Sequence, residues 1–96
     1  MDILNKDGKI FIDGEFDIYN AHEARTKILE AYENNKSDIV LDFSGVSFMD
    51  STGLGILISI QKIMEEEGHK IKIVNADHKI KKIFVITELD KVFGVE

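Results

Sequence analysis

Strand-like segments alternate with helix-like segments along this chain, and that alternation limits its fold more than any other feature. Turn-forming residues separate the segments at Asp7-Gly8, Asp13-Gly14, Asn34-Asn35, Ser44-Gly45 and Gly68. The predicted order is β-β-α-β-α-β-α. Because strands that alternate with helices favour parallel pairing, we predict an α/β fold with a mixed, mostly parallel β-sheet, an antiparallel edge hairpin and covering helices.

Four short apolar segments carry the strand predictions. Met1–Lys6 and Lys9–Asp13 flank Asp7-Gly8, a two-residue sequence typical of tight hairpin turns. Ile39–Phe43 is rich in β-branched residues, which indicates a central buried strand. Lys70–Asn75 alternates charged and apolar residues and is predicted as another strand.

Two longer segments have helical periodicity. The first is Asn20–Asn34, with Asn20 as its predicted N-cap and Glu23 completing a capping box. The second is Ser51–Glu67, ended by Gly68 at the position that glycine favours after a helix. Apolar residues three and four apart form the predicted core stripes, which are Ala21, Ala24, Ile28, Leu29 and Tyr32, then Ile56, Leu57, Ile60, Ile63 and Met64.

The C-terminal part of the chain is ambiguous. Ile80, Ile83, Phe84 and Thr87 follow a helical period over Asp77–Leu89, with Asp77 as a cap, whereas residues 84–87 favour a strand by propensity. We predict a helix there. The last residues, Lys91–Glu96, are predicted as a short tail with Val92 and Phe93 as its apolar anchors.

Length and composition exclude several classes of protein. The 96 residues suffice for one domain, over 1–96. The absence of cysteine excludes disulfides and thiol chemistry. A net charge of −6 with dispersed lysines argues against direct nucleic-acid binding. The N-terminus lacks a leader pattern, and the interrupted apolar stretch Leu54–Ile60 is too short to cross a bilayer, so we expect a soluble cytoplasmic protein without membrane insertion.

The segment Asp42–Gly55 runs from the end of a predicted strand, through a short loop, into the start of a helix. Ligands and partners of open α/β sheets meet the protein at such strand ends, and a helix N-terminus there favours an anion. Ser51 stands at this N-terminus beside Asp50. These residues alone allow two interpretations. Either Ser51 carries a functional hydroxyl group, or Asp50 or Ser51 is simply the cap of the helix.

Gly53 and Gly55 both fall within the first turn of that helix. Glycine costs up to about 1 kcal/mol relative to alanine inside a helix, so two glycines in one turn require an explanation. Either another molecule approaches the backbone closely at this point, or the start of the helix packs tightly on the strand.

Several segments resemble the anti-sigma factor antagonist group of the STAS domain family. The most specific is Phe48-Met49-Asp50-Ser51-Thr52-Gly53-Leu54-Gly55. The segments 14–19 (GEFDIY), 40–46 (VLDFSGV) and 71–75 (IKIVN) resemble other parts of the family pattern. The chain departs from that pattern at Ala76, where many members have proline, and in its short N-terminal strand.

The resemblance implies a bacterial partner-switching regulator of transcription in which Ser51 is phosphorylated. In such proteins the unphosphorylated form binds an anti-sigma factor that is also a serine kinase and thereby releases a sigma factor. Phosphorylation abolishes the binding, and a serine phosphatase restores it. A phosphate at a helix N-terminus is electrostatically favoured, so little change of fold is expected.

The same resemblance places the partner-binding surface around Ser51. Asp50 is expected to position the serine or to contact the nucleotide and metal of the kinase, unless it only caps the helix. Thr52 is a candidate second phosphoacceptor. Leu54 and Ile58 form an exposed apolar patch or pack under the neighbouring helix. The complete predicted surface is Asp50, Ser51, Thr52, Gly53, Leu54, Gly55, Ile58, Asp17 and Tyr19.

Other functions fit the sequence less well. No Gly-x-Ser-x-Gly pattern supports a serine hydrolase, and no glycine-rich pattern supports a nucleotide cofactor. His22, His69 and His78 lack metal-ligand spacing and are predicted to be solvated. We therefore expect no catalytic residue, no metal and no cofactor. The remaining alternative is a STAS scaffold, or an accessory subunit of a stress-signalling complex or a lipid-transport ATPase.

Overall fold

A computed structural model describes all residues 1–96. The observed order of elements is β-β-α-β-α-β-α-α, so the predicted order is confirmed and a short fourth helix is added. The elements are β1 (Asp2–Lys6), β2 (Lys9–Phe16), α1 (Ala21–Asn34), β3 (Ile39–Met49), α2 (Ser51–Glu65), β4 (Ile71–Val74), α3 (His78–Ile86) and α4 (Asp90–Phe93).

The four strands form one sheet in the order β1-β2-β3-β4. β1 pairs with β2 in antiparallel fashion across the predicted hairpin, where Asp7 (φ 52°) and Gly8 (φ 86°) are both left-handed, as a tight two-residue turn requires. β2–β3 and β3–β4 are parallel pairs because α1 and α2 return the chain to the same edge each time. The predicted mixed, mostly parallel sheet is confirmed.

A single core of 22 buried residues holds the helices on the sheet. Phe43 of β3 is central to it, since its ring centroid lies 6.1 Å from that of Phe16 and 6.4 Å from that of Phe84. Phe93 continues this aromatic chain, 5.6 Å from Phe84. The predicted apolar stripes of α1 and α2 face the core, although Leu29 and Ile63 are only half-buried.

Both central strands are longer than predicted. β2 continues to Phe16 instead of ending at Asp13, and β3 continues to Met49 instead of ending at Phe43. The predicted loop after Phe43 is therefore strand. Gly14 and Gly45 predict turns, but both lie in the ladder between β2 and β3. Gly14 (φ 124°) pairs with Val46 there, and two bulges shift the register of the pairing.

The start of α1 differs from the capping prediction. Asn20 precedes the helix but its side chain does not cap it, because its amide group donates to the Glu15 carbonyl oxygen at 2.9 Å. The capping box is also absent, since Glu23 forms an ion pair with Lys27 at 3.0 Å. The carboxylate that receives the backbone N–H groups of this turn belongs to Asp17.

The segment between α2 and β4 contains one histidine, His69, that is not solvated as predicted. α2 ends at Glu65, two residues earlier than predicted, and Gly68 (φ 81°) turns the chain toward β4. His69 is half-buried there, and its Nδ1 atom lies 2.7 Å from the Tyr32 hydroxyl oxygen. Burial raises the pKa of this tyrosine. His22 and His78 are exposed, as predicted.

The ambiguous segment near the C-terminus is a helix, α3. The Asp77 carboxylate caps it by accepting from the backbone N–H groups of Lys79 and Ile80. Thr87, predicted on the apolar stripe, lies beyond the helix and is exposed. Of the two predicted tail anchors, Phe93 is fully buried whereas Val92 is exposed. No helix in the structure has the length and apolar character needed to cross a membrane.

Candidate functional site

Ser51 lies at the edge of the sheet where the parallel strands end. β3 ends at Met49, which pairs with Phe16 at the end of β2, and α2 begins two residues later at Ser51. The backbone N–H of Asp50 donates to the Phe16 carbonyl oxygen at 3.3 Å. The two strand ends therefore hold the start of α2 at a defined position beside the β2–α1 loop.

Asp50, and not Ser51, is the cap of α2. One carboxylate oxygen of Asp50 accepts from the Gly53 backbone N–H at 3.0 Å, which satisfies a free donor of the first turn. The other oxygen accepts from the Ile18 backbone N–H at 3.2 Å. The side chain of Ser51 is exposed and makes no hydrogen bond within the chain, so its hydroxyl group is free for chemistry with another molecule.

The two glycines of the first turn have different surroundings. A Cβ atom at Gly53 would collide with the carbonyl oxygen and the ring of Phe16, so tight packing on β2 explains this glycine. A Cβ atom at Gly55 would meet no atom within 4 Å. Contacts within the chain therefore explain Gly53 and give no reason for Gly55.

Three of the predicted surface residues on α2 are half-buried. Thr52 lies in the first turn, where its side chain is partly covered. Leu54 and Ile58 pack partly against the core, which favours the alternative that they lie under neighbouring elements. Leu54 and Ile58 therefore do not form an exposed apolar patch of their own.

Asp17 and Tyr19 flank Ile18 in the loop between β2 and α1 and differ in exposure. Asp17 is 8% exposed, and its carboxylate accepts from the backbone N–H groups of Tyr19 (3.0 Å) and Asn20 (3.1 Å). Its structural task is to form this turn. Tyr19 is 89% exposed, as expected for a contact residue.

The sequence prediction missed two exposed apolar residues near this site. Ile18 is 59% exposed, and its backbone is bonded to Asp50, next to Ser51. Phe48 is 50% exposed near the end of β3. The available signal was their position, because Ile18 lies between the predicted site residues Asp17 and Tyr19, and Phe48 begins the segment that most resembles the family pattern. Apolar side chains exposed beside a polar group are typical of protein interfaces.

The surface around Ser51 is open and not a pocket. None of the cavities in the structure is lined by residues 50–55. No group of three or more histidine, aspartate or glutamate side chains is arranged to hold a metal ion. An open surface with a free hydroxyl group and exposed apolar side chains fits contact with another protein better than enclosure of a small molecule.

Comparison with known families agrees with this geometry. Residues 2–96 match the STAS domain family. The chain belongs to that family. A curated STAS relative is the anti-sigma-B factor antagonist of Bacillus subtilis strain 168, which is 32% identical over 89 residues, covering 93% of this chain and 81% of the relative.

Solved structures share the STAS fold. A candidate anti-sigma factor antagonist from Thermotoga maritima superposes with a TM-score of 0.83 at 23% identity, covering 98% of this chain and 83% of that one. The phosphorylated form of the Bacillus cell fate determinant SpoIIAA gives a TM-score of 0.70 at 24% identity, covering 99% and 89%. Its unphosphorylated form gives the same score over 88% and 81%. These likenesses establish the fold.

Proposed function

We propose that this STAS domain is an anti-sigma factor antagonist controlled by phosphorylation of Ser51. Unphosphorylated, it binds an anti-sigma factor that is also a serine kinase, and the sigma factor is released. Phosphorylated, it no longer binds. The observation that carries the proposal is the exposed, unbonded Ser51 hydroxyl group at the N-terminus of α2, and the named function of the Bacillus subtilis relative supports it.

The electrostatics of the site are compatible with a switch that acts at the surface. A phosphate carries roughly −1.5 to −2 charges at neutral pH and is stabilised by the N-terminal end of a helix dipole. Because the Ser51 hydroxyl group makes no internal hydrogen bond, its modification breaks none. The phosphate therefore changes bulk and charge at the contact surface, next to Asp50, while the fold is kept.

The remaining assignments follow from this role. The domain acts by binding and not by catalysis, and a serine phosphatase resets it. The net charge of −6 disfavours direct contact with nucleic acid, so its effect on transcription passes through the anti-sigma factor. Because the kinase partner uses ATP, we place the switch in the cytoplasm.

Phosphorylation should occur at one position. We expect the purified serine-kinase anti-sigma factors of the source organism, given ATP, to add one phosphoryl group to the wild-type chain and none to Ser51→Ala, as measured by intact-mass and peptide mass spectrometry. Thr52→Ala is the matched control, and it should be modified like the wild type because Thr52 is half-buried within the first turn. Modification of Ser51→Ala, or of no variant by any such kinase, would contradict the proposal.

A further inference from the structure

Asp50 makes more contacts than a helix cap needs. A cap requires one oxygen that accepts from the first turn, and the bond to the Gly53 N–H supplies it. The second oxygen reaches across to the Ile18 N–H, 32 residues earlier in the chain. Both carboxylate oxygens are thus engaged within the chain. Asp50 therefore holds two segments of the chain together in addition to capping the helix.

The segment that Asp50 holds is ordered from its other side as well. The Asp17 carboxylate bonds the N–H groups of Tyr19 and Asn20, and the Asn20 amide group bonds the Glu15 carbonyl oxygen. The backbone around Ile18 is therefore fixed by side-chain acceptors on both sides. The result is a rigid turn that presents two large apolar side chains, 59% and 89% exposed, to solvent.

Rigid exposed apolar side chains are efficient anchors for a protein partner. A pre-organised segment loses little conformational freedom on binding, and tyrosine is among the residues that dominate binding free energy at interfaces. The position of the turn identifies the partner. The Ile18 amide nitrogen lies 3.2 Å from the side chain of Asp50, the residue before Ser51, so the turn lies beside the hydroxyl group that a kinase would have to reach.

We infer that Asp50 is a positioning residue that fixes the Ile18–Tyr19 turn beside Ser51, and that this turn is an apolar anchor for the same anti-sigma factor kinase. The inference rests on the proposed function and extends it. Affinity comes from the apolar anchor, and control comes from the adjacent serine. A phosphate on Ser51 weakens binding of the kinase by its charge and size while the apolar turn stays as it is. The switch therefore requires no rearrangement of the domain.

Asp50→Ser separates the two tasks of this carboxylate. Serine is a good N-cap but has a single, shorter acceptor, so the helix keeps its cap while the bond to Ile18 is lost. We expect a melting temperature lowered by only a few degrees, faster hydrogen exchange at the Ile18 amide with Gly53 still protected, and about tenfold weaker binding to the kinase. Asp50→Asn, which caps equally well but turns an N–H donor toward Ile18, should behave in the same way.

The anchor itself is tested by Ile18→Ser and Tyr19→Ser. Each should weaken kinase binding by about tenfold or more, measured by calorimetry in ADP. Leu4→Ser is the matched control, since Leu4 is 53% exposed on β1, outside the site, and it should bind like the wild type.

The outcomes separate this inference from the proposed function. If the wild type binds and is released on phosphorylation while the variants at positions 18, 19 and 50 bind equally well, the anchor is overturned and the switch stands. If the variants at position 50 bind weakly and amide hydrogen exchange becomes faster throughout α2, the substitution has loosened the helix. The role of Asp50 is then structural, and the inference is overturned. If the wild type binds none of the kinases, both fail.

Discussion

Gly53→Ala is expected to destabilise the domain, unlike the same substitution at Gly55. The new Cβ atom would collide with the carbonyl oxygen and ring of Phe16, so backbone has to move on both elements. Overpacking of this kind costs typically 1–3 kcal/mol, and the better helix propensity of alanine returns about 1 kcal/mol. Because the collision is with backbone, the cost lies near the top of that range, and we expect a net loss of about 2 kcal/mol. This lowers the melting temperature by roughly 10 °C in a domain of this size.

Gly55→Ala is the matched control for this prediction. It makes the same change two residues later on the same helix, into open space. Its expected effect is a gain of up to about 1 kcal/mol, because alanine favours the helix and meets nothing. Both variants can be followed by thermal and urea unfolding. Equal stabilities for the two would show that close packing on Phe16 is not the reason for Gly53.

Asp42→Asn is expected to have a comparably large effect, and one that depends on pH. Asp42 lies in the middle of the sheet, where its carboxylate accepts from the Ser44 backbone N–H (2.9 Å) and the Asn75 amide group (2.9 Å) and pairs with Lys9 (3.4 Å). Burial alone would raise the pKa of Asp42, but hydrogen bonds from Ser44, Asn75 and Lys9 outweigh it and lower the pKa from 3.8 to about 2.

The sign of the pH dependence follows from this lowered pKa. A carboxylate with a lower pKa folded than unfolded stabilises the fold above its unfolded value, and the contribution is lost as the pH falls toward the folded value. A depression from 3.8 to about 2 corresponds to about 2 kcal/mol. Asp42→Asn should therefore lose about 2 kcal/mol at neutral pH, and its difference from the wild type should shrink between these two pH values.

Denaturant unfolding over an acidic pH series would measure this effect. Asp2→Asn is the control, because Asp2 is an exposed carboxylate on β1 and its removal should leave the unfolding free energy nearly unchanged. An Asp42→Asn variant as stable as the wild type at neutral pH would contradict the assignment. So would a difference that stays constant as the pH is lowered.

Features set by neighbouring residues were predictable from the sequence. The Asp7-Gly8 turn and the Asp77 cap each depend on two to four consecutive residues, and both are observed as predicted. The start of α2 at Ser51 was predictable for the same reason, because a helical pattern begins there. The residues alone left open whether Asp50 or Ser51 is the cap, and only the family resemblance singled out Ser51 as the functional residue. Local chemistry was sufficient for the turn, the Asp77 cap and the start of the helix.

Features that depend on distant pairing were missed. β2 and β3 extend past their glycines only because each completes the other's ladder, from Asp13↔Gly45 to Phe16↔Met49. The exposure of Ile18 has a similar origin, since its turn is held by Asp50, which is remote in sequence. The periodicity of the sequence reveals neither the pairing of β2 with β3 nor the contact between Asp50 and Ile18. Likewise, the difference between Gly53 and Gly55 becomes visible only when Phe16 is placed beside the helix.

The central claim is that the charge state of Ser51 decides whether the kinase binds. The most direct measurement is kinase affinity, with ATP and with ADP, for wild type, Ser51→Ala and Ser51→Asp. We predict that the wild type binds in ADP and loses binding in ATP, that Ser51→Ala binds in both, and that Ser51→Asp is weak in both. Three equal affinities in both nucleotides would contradict the claim and leave Ser51 as an ordinary surface residue of a constitutive STAS scaffold or transporter subunit.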